Sequence, residues 1–275
     1  MIIYYGGCVV LFGLIFGSFL NCTAMRLVRG EDFVRGRSHC PHCGHELTAI
    51  ELIPVISFVI QGGRCRHCKE KISYRYILAE ITFALLSLGL YLNLVLTPGM
   101  GGIWGLGIEQ LLIFLRDWIL TGCLFLVTLT DLENCEIYDG VLIFGFVNFL
   151  IFEIVLMIMQ RSSLSGLLFS LLAGLAVGAV MLLISLLMDK LLKKESLGGG
   201  DIKLFALLGT YLGFYGAYEL VIISCVLGLI FVAIRKLTRP DAPKEFPFGP
   251  AIALGGYILL ITEKYITAWY QSFLI

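Results

Sequence analysis

Ionised side chains are scarce in this sequence: Asp, Glu, Lys and Arg make up 15% of its 275 residues, against about a quarter in a soluble domain. With 59% of the residues hydrophobic, a soluble fold would have too little polar surface to cover itself. No Lys or Arg precedes Arg26. The apolar N-terminal stretch therefore lacks the basic start of a cleavable secretory signal, and is expected to stay in the membrane with its N-terminus outside. A surplus of either charge is missing too, because 20 Lys+Arg balance 20 Asp+Glu. That leaves no bulk field to draw in nucleic acid, and no nucleic-acid partner is expected. No segment repeats at a fixed period.

Long apolar runs are abundant. Stretches of about 20 such residues, enough to cross the hydrocarbon core as a helix, recur at about 2–25, 76–96, 111–130, 138–158, 166–188, 202–216, 219–234 and 249–270. The expected fold class is all-α, a polytopic integral membrane protein with about eight spans in a lipid bilayer. The sixth and seventh spans are short, and with Gly209, Gly213 and Gly216 near their junction they can form one tight hairpin. Lys and Arg set the orientation. Nine of them lie from Arg26 to Arg75. Four more (Lys190, Lys193, Lys194, Lys203) precede or open the sixth span, and four (Arg235, Lys236, Arg239, Lys244) precede the eighth. Arg116, Arg161 and Lys264 remain for the other side. Seventeen of the twenty on one side predict an N-out, C-out topology. The chain divides into a first span (1–26), a cytoplasmic segment (27–75) and the remaining spans (76–275). The Gly-rich outer stretch 97–107 has no ionised side chain and reads as a linker or shallow interfacial loop.

Four of the nine cysteines sit in the cytoplasmic segment, as Cys40-Pro-His-Cys43 and Cys65-Arg-His-Cys68, 21 residues apart. Each C-x2-C pair sets two thiolates on one tight turn, and two such turns complete a tetrahedral four-sulfur zinc site. His39, His42, His45 and His67 crowd the same segment as alternative ligands. A redox dithiol is the competing reading. A reducing cytoplasm disfavours structural disulfides. Four protein ligands leave no open position, so the zinc is expected to be structural. Cys8, Cys22, Cys123, Cys135 and Cys225 lie in or near spans and read as packing residues.

Two acids stand at span ends on the cytoplasmic side. The third span runs into Asp131-Leu-Glu133-Asn-Cys-Glu136-Ile-Tyr-Asp139, and the sixth opens on Gly198-Gly199-Gly200-Asp201-Ile-Lys203. Solvated surface accounts for the first, and helix capping by Asp201 for part of the second. Capping does not account for three preceding glycines, which permit positive φ or close backbone approach. If the two helices pack together the carboxylates meet and share a proton, so that one activates water while the other polarises a carbonyl.

Seven motifs in order resemble the type IV prepilin peptidases: GSFLN (17–21), the two cysteine pairs as one, ELIPVISF (51–58), ISYRYILAE (72–80), TDLENCEIYD (130–139), SLGGGDIKL (196–204) and PFGPAIALGG (247–256). The resemblance implies a membrane-embedded aspartic endopeptidase of the bacterial inner membrane, with Asp131 and Asp201 as its catalytic pair. It would remove the short basic leader of prepilins and pseudopilins after a glycine. It also implies N-methylation of the new terminus from S-adenosylmethionine by the cysteine-bearing region, for which Gly63 and Glu80 are the candidate donor-binding residues. No Rossmann-type glycine fingerprint follows a predicted strand, so a soluble methyltransferase fold has no support. The sequence departs from the family pattern at Asp131-Leu-Glu133, where relatives have Asp-x-Asp, and at Tyr138-Asp139, where they have Pro-Asp. Lys203 is expected to orient the leader or tune Asp201, and Phe248-Gly249-Pro250 to start and pack the last span. The competing readings are a peptidase without methylation, a transporter using Glu80, Glu153 and Asp201, and a zinc-knuckle scaffold.

Overall fold

The computed structural model describes residues 2–32, 36–96, 107–194, 196–238 and 246–274. Most of the predicted outer loop (97–106), with Arg35, Arg239 and Lys244, lies outside the described residues. The elements are α1 (Ile2–Arg29), α2 (Ile56–Ile60), α3 (Arg75–Leu96), α4 (Ile108–Asn134), α5 (Asp139–Ile158), α6 (Leu164–Leu192), α7 (Gly199–Thr238) and α8 (Gly249–Leu274). A 3-10 turn covers Ala49–Leu52, and two isolated β-bridges join His39 to Glu46 and Arg64 to Lys71. Six helices, α1 and α3 to α7, are long and apolar enough to cross a membrane, and α8 carries a shorter apolar stretch, Gly249–Thr262. The chain is an all-α, multi-pass membrane protein, the architecture that satisfies every backbone group inside its own segment.

Two compact units divide it, Met1–Leu106 and Gly107–Ile275. In the first, α1 lies along α3 through small residues. A β-carbon at Gly13 would stand 2.7 Å from Ala84 Cα, and one at Gly17 would stand 2.9 Å from Glu80 Cα. Close backbone approach of this kind is how membrane helices gain packing without a hydrophobic driving force. Arg75 Nε donates to Asn21 Oδ1 at 3.2 Å, tying the start of α3 to the end of α1.

In the second unit, α6 meets α7 along Gly174-Leu-Ala-Val-Gly178. A β-carbon at Gly174 would approach the Ala206 carbonyl to 2.6 Å, and one at Gly178 would approach Ala206 Cβ to 2.9 Å. The predicted sixth and seventh spans are the two arms of α7, which breaks at Gly213 (φ 67°, ψ −171°). A straight 40-residue helix would measure about 60 Å, twice the hydrocarbon thickness. Instead the arms fold back. The Phe248 ring lies 6.2 Å from the Phe205 ring centroid and 2.7 Å from where Gly228 would carry a β-carbon, although 205 and 228 would be about 35 Å apart on a straight helix. The first arm, 199–212, is about 21 Å long, so the residues that open it cannot lie a full membrane thickness from Gly213. α8 packs against both α4 and α7, and Leu120, Leu124, Phe205, Leu208, Leu220, Ile252 and Leu259 form the core between them.

Gly174→Val is expected to destabilise the second unit by about 1–3 kcal/mol through overpacking. A loss of monodisperse protein and a lowered unfolding temperature in detergent check this, with Leu175→Val, on an exposed face, as the unaffected control.

Candidate active site and metal centre

α4 does not end before Asp131 but runs on to Asn134, where Cys135 closes it in the left-handed conformation (φ 54°, ψ 38°). The Cys135 N–H donates to the Asp131 carbonyl at 2.9 Å. Asp131 is therefore on the last helical turn, and only 5% exposed, not on a solvated tail. A buried carboxylate needs a donor. Asp131 Oδ2 accepts the Gly249 N–H at 2.9 Å, an orphan donor at the positive end of α8. A β-carbon at Gly249 would sit 2.8 Å from that oxygen, so only glycine lets helix and carboxylate come this close. Pro250, the next residue, brings no N–H of its own. The motif expected merely to start and pack the last span also clamps Asp131. A glycine wedged between Phe248 and Pro250 at a helix start was the available signal.

Asp201 stands in the first turn of α7, half-buried. The Asp131 carboxylate is near enough to act on it electrostatically, and the Gly198 N–H faces it. The helices that carry the two acids both pack on α8. None of Gly198, Gly199 and Gly200 adopts a positive φ, so backbone freedom does not account for them, and space accounts for two of the three. A β-carbon at Gly200 would lie 2.8 Å from Ile137 Cβ, and one at Gly198 would lie 3.3 Å from Asp201 Oδ2; Gly199 has nothing within 4 Å. Gly200 thus lets the loop after Asp131 close onto the turn that carries Asp201. Lys203 is not directed at Asp201. Its Nζ holds Asp139 Oδ1 at 2.7 Å and Oδ2 at 2.8 Å, an exposed pair worth under about 1 kcal/mol. Glu133 and Glu136 are exposed beside it. Towards the other end of α4, Glu153 accepts from Arg116 Nη1 at 3.0 Å and from Ser162 Oγ at 3.2 Å.

In the first unit the two cysteine turns are built alike. Cys40 N–H donates to the His45 carbonyl at 2.9 Å and the Cys40 carbonyl accepts the Gly44 N–H at 2.9 Å; Cys65 repeats this with Glu70 at 2.8 Å and Lys69 at 3.0 Å. Gly44 (φ 69°) and Lys69 (φ 62°) take the same left-handed position. The Sγ atoms of Cys40, Cys43, Cys65 and Cys68 all lie within 4.8 Å of one another, with Cys40 and Cys68 at 3.9 Å. A zinc tetrahedron with bonds of about 2.3 Å has edges of about 3.8 Å, so the four sulfurs fit the ion. Among the described residues no histidine joins this group; His45 and His67 stack on each other instead, ring centroids 3.7 Å apart. The backbone N–H of Cys43 draws the Cys40 thiol down to about 6. Cys68 keeps the Glu70 N–H, yet desolvation and the neighbouring thiols push it up to about 11. Four thiolates this close would need a cation between them, and the spacing suits a zinc ion.

Beside the cysteine turns lies a cavity of about 450 Å³ walled by Arg26, Arg29, Glu51, Arg75, Tyr76 and Glu80 among others. Glu80 is buried and pairs with neither Arg75 nor Lys71: its Oε2 accepts the Val55 N–H at 2.7 Å. Val55 (φ 60°, ψ −51°) is the centre of a γ-turn closed by Ile56 N–H on the Pro54 carbonyl at 2.6 Å, a rare and strained conformation for a β-branched residue. Of the two candidate donor-binding residues, Glu80 lines the cavity and Gly63 does not. Gly63 is a turn residue at φ 67°, where a β-carbon would come within 3.1 Å of Phe58 Cζ.

Comparison with known proteins agrees with both halves. Residues 11–94 match the model of the bacterial peptidase A24 N-terminal domain, and 118–233 match that of the type IV leader peptidase family. A prepilin leader peptidase/N-methyltransferase of Aeromonas salmonicida (strain A449) is 33% identical over 98% of this chain and 94% of its own length. One of Bacillus subtilis (strain 168) is 31% identical over 94% and 95%, and one of Pseudomonas aeruginosa 29% over 97% and 93%. No solved structure matches the chain.

Purified protein is expected to carry about one zinc per chain. Replacing Cys40 and Cys43 together by Ser should remove it, as read by elemental analysis of monodisperse protein.

Proposed function

The chain belongs to the type IV leader peptidase family, and from that membership we propose that it removes the leader of prepilins and pseudopilins with Asp131 and Asp201, then methylates the new N-terminus from S-adenosylmethionine. The observation that carries the peptidase reading is the buried Asp131, clamped by the Gly249 N–H, with Asp201 in electrostatic reach. Two carboxylates that repel each other in a desolvated site do not both ionise readily, so in this reading the pair holds one proton. The ionised one takes a proton from water as the oxygen attacks the scissile carbonyl, and the protonated one hydrogen-bonds the carbonyl oxygen. As the adduct collapses and the C–N bond breaks, the acid that took the water proton passes it to the leaving amine, and the pair again holds one proton. Exposed Glu133 and Glu136 offer the basic leader a complementary charge.

The seventeen-to-three division of Lys and Arg supports a cytoplasmic position for both acids, the side on which a basic leader is retained. The cavity supports the methyl-transfer reading. Its volume of about 450 Å³ is in the range of small-molecule sites, about 300–1,000 Å³, and its walls carry both signs of charge. Glu80 and Glu51 suit a sulfonium cation, and Arg26, Arg29 and Arg75 suit a carboxylate. Zinc, closed in by four thiolates, would hold the cysteine turns and activate no water. Transport by Glu153 is disfavoured because Arg116 and Ser162 hold its carboxylate.

Two expectations test this. Asp131→Asn and Asp201→Asn should each abolish leader removal from a prepilin while the protein stays folded, since Asn keeps the shape but carries no proton. Mass spectrometry of the product, with S-adenosylmethionine present, reads leader loss and methyl gain in one spectrum. Lys203→Ala and Asp139→Asn should retain most activity, and cleavage by either Asn variant of the pair would sink the assignment. For orientation, an impermeant thiol reagent applied outside should label a cysteine engineered at Ser163 and not one at Ser38; the reverse pattern would invert the topology.

A further inference from the structure

Helix α2 is inside out. In a solvated segment the apolar face of a short helix turns inward and the polar face outward. Here Ile56, Val59 and Ile60, spaced three and four apart, are 55%, 66% and 78% exposed, while Ser57 and Phe58 turn to the cavity. Ile50 and Ile53, just before it, are exposed as well. The composition agrees: from Ile53 to Gly63 there is no ionisable side chain, although Glu51 and Arg64 bracket the stretch and the segment around it is rich in charge.

Its depth is fixed by a hydrogen bond. Glu80, which accepts the Val55 N–H at 2.7 Å, lies five residues into α3, about 7.5 Å along the helix from its start. α2 is thus held beside the first two turns of a membrane-crossing helix. At the same level α3 itself shows exposed Leu78, Ile81 and Leu85, the lipid-facing side of a span. An amphipathic segment in the interface buries its apolar face about 5–10 Å deep, and α2 is pinned at that depth.

We propose that residues 50–60 form an interfacial segment lying in the headgroup–acyl boundary, with Ile56, Val59 and Ile60 in lipid and the opposite side roofing the cavity. The occupant of this face is the bilayer, because the face continues in depth the lipid-facing surface of α3. The cavity then opens at the membrane surface, where the freed N-terminus of a membrane-anchored substrate emerges. That last consequence rests on the methyl-transfer reading; the placement of the segment does not.

Photo-crosslinking tests the placement independently of either activity. p-Benzoylphenylalanine is put in place of Val59 or Ile60 in the full chain, with Glu46 and Lys69, both exposed in the cysteine turns, as control positions. After irradiation in phosphatidylethanolamine–phosphatidylglycerol vesicles, intact mass should show one-lipid adducts at 59 and 60, about tenfold more than at 46 and 69. Yields no higher than the controls mean that the segment sits in water, and adducts with a second copy or another protein mean a protein interface; either overturns the proposal. Ile60→Trp gives a second reading without the bulky photoprobe. Brominated lipids should quench its added fluorescence but not that of Glu46→Trp, and equal quenching would count against the placement.

Discussion

A carboxylate buried among membrane helices has to be given a hydrogen-bond donor, and for Asp131 that donor is the first N–H of α8. Inside a helix this N–H would be spoken for, and at a solvent-facing helix start water would take it. Here it is an orphan at the positive end of a helix dipole, in a medium where an unsatisfied polar group costs several kcal/mol. Each group removes the other's cost. Much of the second unit follows from this one bond. α8 must begin where α4 ends, Gly249 must lack a side chain, and α7 must fold back at Gly213 so that both its arms can pack on α8. The reversal also brings the turn with Asp201 to the same place. A pair of acids is then held by backbone geometry, with no side chain spent on positioning them.

The far end of the same helices is fixed differently. Arg116 holds Asp117 at 2.9 Å and Glu153 at 3.0 Å, and Asn148 links the Arg116 carbonyl to the Tyr211 hydroxyl at 3.0 and 2.9 Å. Tyr211 in turn donates to the Gly145 carbonyl at 2.7 Å. This network joins α4, α5 and α7 with ionic and neutral hydrogen bonds, which specify a unique arrangement more than they add stability. Held at that end by side chains and at the Asp131 end by a backbone donor, α4 has little freedom to move its terminal carboxylate.

Hydropathy made the spans legible, because a bilayer imposes one length and one solvent on every crossing segment. The α7 hairpin was legible from short runs and a glycine cluster, and the four cysteines from a spacing that few other structures require. The pairing of the acids was not. Asp131 and Asp201 are 70 positions apart in the sequence, and what links their helices is a third that begins 48 residues after the second acid and packs on both. Of the two expectations for the glycines before Asp201, positive φ and close approach, only close approach holds, at Gly200, and Gly249 adds a second close approach, to Asp131. Lys203 looked like a partner for its near neighbour Asp201, but side chains two residues apart on a helix point about 200° away from each other, and Asp139 across the loop meets it instead. α2 was invisible as an element for a related reason, since an inverted amphipathic helix cannot be told from a buried one by its pattern alone.

The cysteine segment is the clearest case of a structure that its own apolar residues cannot hold. Between Gly36 and Tyr74, among the described residues, only Cys40 and Cys65 are buried; Ile50, Ile53, Ile56, Val59 and Ile60, which could have made a core, are exposed. A segment of about 40 residues without a core does not pay for its conformational entropy by burial. Two constraints replace the core. One is the four-sulfur cluster, which joins two turns of identical hydrogen-bond pattern, and the other is the carboxylate of Glu80, which pins a strained γ-turn against α3. Both border the cavity, since Cys40, Cys65 and Glu80 are among its walls. Metal binding at the cysteine turns and lipid contact along α2 would therefore each contribute to the shape of the cavity. The charged walls of the cavity thus include residues that also hold the segment in place, Glu80 through the Val55 N–H and Arg75 through Asn21.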